Sequence, residues 1–213
     1  MRKNKSFFRS LSGILAMLLF LALIPALTAC GNRPSQEEIL SISRELIEKS
    51  IPVNEIVFGA GMALDETSNE YLAYTLRGEN SAEVFYIPVA ADAPCQDEAS
   101  LSALFESVYS ADYCDYLRQL CFTGISNGAG AIASYARYIT LEDRLALRAD
   151  SAVITQGRTL DLSTLQVVSI RKNRAVVSVA VHSEILGDSR DEFVLVRQET
   201  ESGSVWRLDT PTY

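Results

Sequence analysis

The clearest structural signal in this sequence is the run Ala175-Val176-Val177-Ser178-Val179-Ala180-Val181. Its odd-numbered positions are all apolar, and the β-branched residues that dominate it favour strands. Because successive side chains of a strand point to opposite faces of a sheet, we expect the odd positions to face a core. The even positions, continuing to His182, would then occupy the more polar face.

Runs of the same kind lie on both sides of this strand. We predict strands at Thr164–Ile170, Arg174–Val181, Glu192–Gln198 and Val205–Leu208. Turn residues separate them at Lys172-Asn173, at Gly187-Asp188-Ser189 and at Glu201-Ser202-Gly203. Short connections between successive strands indicate antiparallel pairing, so the last third of the chain predicts a C-terminal β-meander. Trp206, the sole tryptophan, lies in the last strand, and we expect so large an aromatic side chain to be buried.

A helical pattern opens the part of the chain that precedes these strands. Ser35-Gln36-Glu37-Glu38 fits a capping box, in which the Ser hydroxyl and the Glu carboxylate satisfy free amides at a helix start. We expect this helix to run to about Lys49 and to be stopped by Pro52. The apolar segment Val53–Leu64 contains two glycines, and its pattern leaves its structure open.

The middle of the chain mixes both kinds of pattern. The predicted elements are strands at Tyr71–Leu76 and Glu83–Val89, a helix at Glu98–Val108, a helix capped by Ser110 or Asp112, and a hairpin of Ser134–Ile139 with Arg144–Leu147. The acidic pair Glu142-Asp143 lies at the turn of that hairpin. Helices that pack on one face of an antiparallel sheet give an α+β domain, which is the fold class that we predict.

The first 30 residues differ chemically from the rest, because they contain four basic residues and no acidic one. An apolar run, Leu11–Ala29, follows the basic residues in the order typical of a secretory signal. Leu27-Thr28-Ala29-Cys30 resembles the bacterial lipobox, in which the chain is cut before a cysteine that carries diacylglycerol. The alternative is a transmembrane anchor, since the run approaches the ~20 residues that span a bilayer. Pro25 and the polar residues after Cys30 favour cleavage.

The chain therefore divides into three predicted parts. Residues 1–29 form a signal peptide, residues 30–34 the lipidated Cys30 with a short tether, and residues 35–213 a single domain. Acyl chains on Cys30 would hold the protein on the outer face of the cell membrane. Residues 31–213 carry 15 basic and 27 acidic residues, a net charge of −12. This charge argues against nucleic-acid binding, because phosphate neutralisation needs Lys and Arg.

No catalytic or metal-binding pattern stands out. His182 is the only histidine, and a nucleophilic site would need it beside a Ser, Cys or Thr. Pairing with Cys114 or Cys121 is conceivable, but a surface position on a strand is the favoured interpretation. One histidine is too few for a His-based metal site, and no calcium-loop pattern is present. We expect a protein that is not an enzyme and that needs neither metal nor cofactor.

Three cysteines follow Cys30, and their pairing is left open. Cys114 and Cys121 are seven residues apart on a predicted helix. That spacing places them about 10 Å apart along the helix axis, which is too far for a disulfide bond. Cys95 precedes the helix and can pair with either one. Three reduced, buried thiols is the alternative of equal weight.

The order of these elements resembles the inhibitor-of-cell-separation family of Gram-positive lipoproteins and secreted proteins. The similar features are the lipobox, the N-terminal helix, the strand at Val84-Phe85-Tyr86, the helices around Leu101–Ser110, and the closing segment Trp206–Tyr213. The resemblance covers roughly Ser35–Tyr213 and implies a cystatin-like or NTF2-like α+β domain. It implies inhibition of peptidoglycan DL-endopeptidases, which are cysteine hydrolases that cut the stem peptide, by docking of an acidic surface.

Two functional hypotheses result. The first is a non-catalytic, membrane-anchored inhibitor whose acidic body is steered to a basic groove of the hydrolase. The predicted contact residues are Glu142, Asp143, Asp188, Asp191, Glu192 and Asn127, the last within a glycine-rich segment. The second is a binding or sensing module whose cavity holds a small ligand or peptide. A deep apolar pocket with polar groups would favour the second, and clustered surface acids without a pocket would favour the first.

Overall fold

The structure, a computed structural model, describes residues 33–69, 71–76, 82–126, 132–151, 153, 157–184, 186–201 and 203–213. The predicted signal peptide, Cys30 and Asn127 lie outside these residues. The segment Gln36–Tyr213 forms one compact unit. It combines helices with antiparallel sheets, so the predicted α+β class is confirmed.

Helix α1 spans Gln36–Phe58 and passes through Pro52. The predicted stop at this proline is therefore wrong. Proline lacks an amide hydrogen and crowds the carbonyl group one turn earlier. The apolar face of the helix nevertheless continues beyond it, since Val53, Ile56 and Val57 are all buried. Tertiary packing of this second half stabilises the helix by more than Pro52 destabilises it.

Two shorter helices follow, namely α2 (Glu98–Val108) and α3 (Ala111–Arg118), and a π-helical turn at Gln119–Thr123 extends the second. The predicted bounds of α2 are confirmed. Of the two candidate caps for α3, the structure selects Ser110, whose hydroxyl accepts a hydrogen bond from the Tyr113 amide at 3.2 Å. Asp112 instead lies in the first turn of α3, where a carboxylate interacts favourably with the positive end of the helix dipole.

The first sheet has the strand order β1-β2-β6-β5, and every neighbouring pair in it is antiparallel. Its strands are β1 (Tyr71–Leu76), β2 (Ala82–Pro88), β5 (Tyr138–Leu141) and β6 (Arg144–Arg148), and a separate short pair consists of β3 (Ile125–Ser126) and β4 (Ile132–Ser134). The predicted strand Ser134–Ile139 is therefore divided between β4 and β5. Between these two strands, the Arg137 side chain reaches the end of α1, where its Nε donates to the Ile56 carbonyl at 3.0 Å.

The second sheet has the order β10-β9-β8-β7. Its strands are β7 (Arg158–Ile170), β8 (Arg174–Ser183), β9 (Ser189–Thr200) and β10 (Gly203–Leu208), each antiparallel to the next. All four predicted strands of this region exist. The first begins six residues earlier than predicted, at Arg158 instead of Thr164. A bulge between Asp161 and Gln166 interrupts the alternation of apolar and polar residues, so the sequence pattern does not indicate the beginning of β7.

Helix α1 packs against β7, β8 and β10. The residues of β8 that enter this core are those predicted from the alternation, namely Ala175, Val177, Val179 and Val181, all at most 2% exposed. Trp206 is 8% exposed, so its predicted burial is confirmed.

Candidate functional site

A cavity of about 370 Å³ lies between the second half of α1, the first residues of β7 and the end of the chain. We call it the α1–β7 cleft. Its apolar wall consists of Ile47 and Ile51 from the helix and Leu160 and Leu162 from the strand. Ile51 is 57% exposed, although it belongs to a helix whose opposite side is in the core. The cleft therefore presents apolar surface that a bound molecule can cover.

A buried network of polar side chains reaches the cleft through Asn54 and Thr212, which both line it. The Thr212 hydroxyl oxygen lies 2.5 Å from Ser50 Oγ and accepts a hydrogen bond from Asn54 Nδ2 at 2.8 Å. Tyr109 in turn donates its hydroxyl proton to Asn54 Oδ1 at 2.7 Å. Burial raises the pKa of Tyr109 to about 12, so the phenol stays protonated and remains a donor. Fixed groups of this kind orient a ligand without having to move.

Arg158 supplies the positive charge of the cleft, and this charge is already paired. Its guanidinium forms an ion pair with Asp191 and donates to the Tyr213 main-chain oxygen at 2.5 Å. Asp191 is opposite Val179 in the β8–β9 register, which places it on the face of the sheet that carries α1. The predicted surface acid Asp191 is therefore a half-buried partner of Arg158.

Glu55 is the second charged residue of the lining. Its Oε1 accepts a hydrogen bond from the Ala60 amide at 2.8 Å, just beyond the end of α1. Among the residues that the structure describes, no salt bridge includes Glu55. With Arg158 neutralised by Asp191, the lining retains one uncompensated negative charge.

The structure places the other predicted contact residues in separate positions. Glu142 and Asp143 form the turn between β5 and β6, both with positive φ, 50° and 64°. Asp188 lies beyond the end of β8, where its Oδ1 is 2.6 Å from Nδ1 of the exposed His182. Glu192 is exposed and opposite Ser178, on the outer face of the second sheet. Glu142 and Asp143 thus belong to the first sheet, whereas Asp188 and Glu192 belong to the second.

The three cysteines that follow Cys30 are free and buried, which is the second of the two alternatives for them. Burial raises the pKa of all three thiols, to about 11 for Cys114 and about 12 for Cys121. Nucleophilic or metal-binding thiols need a lowered pKa and access to solvent. These thiols are therefore packing residues of the core.

Two further findings concern the described residues alone. They contain no group of three or more His, Cys, Asp or Glu side chains arranged to hold a metal ion. None of their helices has the length and apolar character required to cross a membrane.

Sequence reasoning missed the residues that line the cleft. Asn54 lies in the segment whose structure was left open, and Arg158 precedes the predicted start of its strand. Thr212 lies within the closing segment Trp206–Tyr213 and is not among the predicted contact residues. The available signal was chemical: Asn54 is polar within an apolar helical run, and a buried amide needs partners.

Comparison of the chain with protein-family models, with curated proteins and with solved structures found no match.

Proposed function

We propose that this protein is a non-catalytic, membrane-anchored lipoprotein of the extracytoplasmic face whose α1–β7 cleft binds a peptide or small ligand. One observation carries the proposal: a fixed, buried set of polar groups reaches an apolar cleft of about 370 Å³. Binding pockets typically combine mostly apolar walls with a few placed polar groups. The arrangement of α1 on a C-terminal meander is, in this proposal, of the cystatin-like or NTF2-like type.

The placement of the reactive residue types supports binding rather than catalysis. His182 is exposed on the outer face of β8 and pairs with Asp188, whereas the cleft lies on the other face. The thiols are buried and their pKa values are raised. General acid–base catalysis needs a proton-transferring group within hydrogen-bond reach of the substrate. The lining holds the carboxylate of Glu55 and an Arg158 that is paired with Asp191, and it includes neither His182 nor a thiol.

The membrane anchor in the proposal is Cys30. Cells expressing the wild-type chain should incorporate a fatty-acid analogue into the protein, and Cys30→Ala should abolish both the label and membrane retention. Equal labelling and retention of the two proteins would refute the anchor and leave the cleft unaffected.

Binding in the cleft is tested with a displayed library of random 12-residue peptides, panned against the full chain in detergent. Ile51→Gln removes apolar surface at the cleft, and Val168→Gln is the matched control, since Val168 is 52% exposed on β7 but does not line the cleft. Burial of the exposed part of the Ile51 side chain by a peptide contributes about 1 kcal/mol to the binding free energy. Enriched peptides should therefore bind Ile51→Gln about fivefold more weakly than the wild type. Equal binding to both variants, or no enrichment, would overturn the cleft assignment.

A second candidate function is inhibition of a peptidoglycan DL-endopeptidase, and the charge of the body favours it. Residues 31–213 have a net charge of −12, and Glu142 and Asp143 are presented at a hairpin turn. An acidic body is attracted to a basic substrate groove, which mainly accelerates association. In this proposal Asp188 and Glu192, together with Asn127, contribute further contacts.

Residual activity of a purified cysteine DL-endopeptidase, measured with increasing amounts of the full chain, tests this second candidate. Inhibition should weaken between 0.1 M and 1 M salt, because the screening length falls from about 10 Å to about 3 Å. Glu142→Gln combined with Asp143→Asn should slow association more than it accelerates dissociation. Full hydrolase activity at saturating concentrations of the chain would rule the candidate out.

A further inference from the structure

Among the strands that the structure describes, β7 lies at the edge of the second sheet. In the sheet order β10-β9-β8-β7, none of the described strands pairs with β7 on the side away from β8. The opposite edge of the sheet, β10, is partly covered. Tyr109 forms a bridge with Leu208 of β10, and the Ser110 amide donates to the Leu208 carbonyl at 2.7 Å. An uncovered edge presents backbone N–H and C=O groups that can pair with an added strand.

The open stretch of β7 is short and has a defined end. Pairing with β8 is regular from Arg158 to Asp161, and the bulge follows. Within it, the Leu162 carbonyl accepts a hydrogen bond from Arg44 at 3.3 Å, and the Ser163 amide donates to the Asp161 side chain at 3.0 Å. At about 3.3 Å per residue, the four residues before the bulge offer roughly 13 Å of edge. This stretch borders the α1–β7 cleft, since Arg158, Thr159 and Leu160 also line the cavity.

The charge of the cleft determines which peptide it favours. Arg158 is neutralised by Asp191, while Glu55 belongs to no salt bridge among the described residues. The net charge of −12 on residues 31–213 adds a long-range attraction for cations. Apolar side chains of a peptide can pack against Ile51 and Leu160, which lie on opposite walls of the cleft.

We propose that the cleft takes a short, extended, basic peptide segment, which adds as a strand to the outer edge of β7 at Arg158–Asp161. Alternate apolar side chains of the peptide enter the cleft between α1 and β7, and a basic side chain at the end of the peptide, outside the paired stretch, lies near Glu55. This inference rests on the proposed function of the cleft and specifies both its ligand class and its mode of binding.

The backbone part of the proposal is tested with the capped peptide acetyl-Lys-Val-Lys-Val-Lys-amide, binding to the full chain in detergent. Amide groups of a strand alternate in direction, so only one alternate set of peptide N–H groups can face β7. One peptide is N-methylated at the central lysine, and another at both valines. Because each lost hydrogen bond costs about 1 kcal/mol, one of the two should bind at least about fivefold more weakly, and the other nearly as well as the parent.

The charge part is tested with Glu55→Gln, which retains the oxygen that accepts from the Ala60 amide. Glu37→Gln is the matched control, since it removes an exposed carboxylate from the same helix. The parent peptide should bind Glu55→Gln about two- to fivefold more weakly than the control. The acidic peptide acetyl-Glu-Val-Glu-Val-Glu-amide should bind the wild type far more weakly than the lysine peptide.

Hydrogen exchange measured by mass spectrometry locates the bound peptide, and the region around Arg158–Asp161 should become protected. The strand-addition proposal is overturned if both methylated peptides bind alike, if the acidic peptide binds equally well, if protection falls elsewhere, or if no binding occurs at 1 mM peptide. In each of these cases the proposed function would still hold if library peptides bind Ile51→Gln more weakly than the wild type. If the affinity of the library peptides does not change in Ile51→Gln, the proposed function itself is refuted.

Discussion

At the scale of single residues, Asp65 shows how local hydrogen bonds control charge. Its Oδ1 accepts from the Thr67 hydroxyl at 2.6 Å and from the Thr67 amide at 3.0 Å, and its Oδ2 accepts from the Ser68 hydroxyl at 2.9 Å. These hydrogen bonds, with a smaller contribution from Arg144, lower the pKa of Asp65 to about 2. The carboxylate thereby organises the loop that leads from α1 towards β1.

A lowered pKa in the folded state makes stability depend on pH in a defined direction. The contribution of Asp65 is fully present above its unfolded pKa, about 3.9, and is lost as the pH falls through its folded pKa of about 2. We expect Asp65→Asn to lower the urea midpoint at pH 7, and the difference from wild type to shrink from pH 4 to pH 2. Asp92→Asn, at an exposed loop position, is the control. A midpoint difference that is constant over this range would contradict the prediction.

Trp206 illustrates the energetic weight of one aromatic side chain. It is 8% exposed and belongs to the main core. Trp206→Ala should lower the free energy of unfolding by about 3–5 kcal/mol, and Trp206→Phe should lower it less, because more of the buried volume is kept. Circular dichroism during urea unfolding is the suitable measurement, since the alanine variant has no tryptophan fluorescence. A loss below about 1 kcal/mol would show that the indole makes little contribution to the core.

At the scale of elements, α1 carries both the core contacts and one wall of the cleft. Its end is held by the chain segment that leads into β5. Arg137 donates to the Ile56 carbonyl at 3.0 Å and to the Gly59 carbonyl at 2.5 Å, and the Tyr138 hydroxyl donates to Ile56 at 2.9 Å. A cation beside the last carbonyl groups also opposes the negative end of the helix dipole. These contacts explain why the helix persists beyond Pro52.

Pro52 opposes the formation of this helix, so its replacement by alanine should raise the free energy of unfolding. Pro52 is exposed, so Pro52→Ala removes no buried side chain. An interior proline costs about 3 kcal/mol relative to alanine, and part of this cost is relieved by local adjustment of the helix. We expect the variant to raise the free energy of unfolding by about 1–3 kcal/mol, measured by urea denaturation. Destabilisation would mean that the proline itself is required for packing of α1 against β7.

At the scale of the whole molecule, the last residues of the chain join elements that are far apart in sequence. Thr212 contacts Ser50 and Asn54 of α1, and Tyr213 stacks on Phe58 with ring centroids 3.7 Å apart. The Asp209 carboxylate accepts a hydrogen bond from the Ser110 hydroxyl at 2.5 Å, where α2 and α3 meet. Asn54, Thr212 and Tyr213 also line the cleft, so global stability and the shape of the cleft depend on common contacts.

Thr212→Val tests this coupling. The change keeps the shape of the side chain but leaves the buried Ser50 and Asn54 groups without their shared partner, which costs about 1–3 kcal/mol. We expect a lower free energy of unfolding together with weaker peptide binding in the cleft. Thr159→Val, at an exposed position of the cleft lining, should change stability by less than about 0.5 kcal/mol. Equal stability of the two variants would show that the network adds nothing to the fold.

The sequence by itself determined the elements whose signals are local. The alternation from Ala175 to Val181 depends only on the twofold period of a strand, and it correctly identified the buried face of β8. The turn at Glu142-Asp143 was likewise readable, and the cap of α3 was narrowed to Ser110 or Asp112, because each involves residues within a few positions of one another.

Tertiary structure alone decided the remaining features, because they depend on groups distant in sequence. The extension of α1 past Pro52 rests on contacts with Arg137 and Tyr138, and the role of Asp191 rests on Arg158, 33 residues away. The cleft likewise combines Asn54 with Thr212, 158 positions apart. A linear pattern records the polarity of each of these residues, but only the packed chain brings them within hydrogen-bond distance, where burial and charge determine their roles.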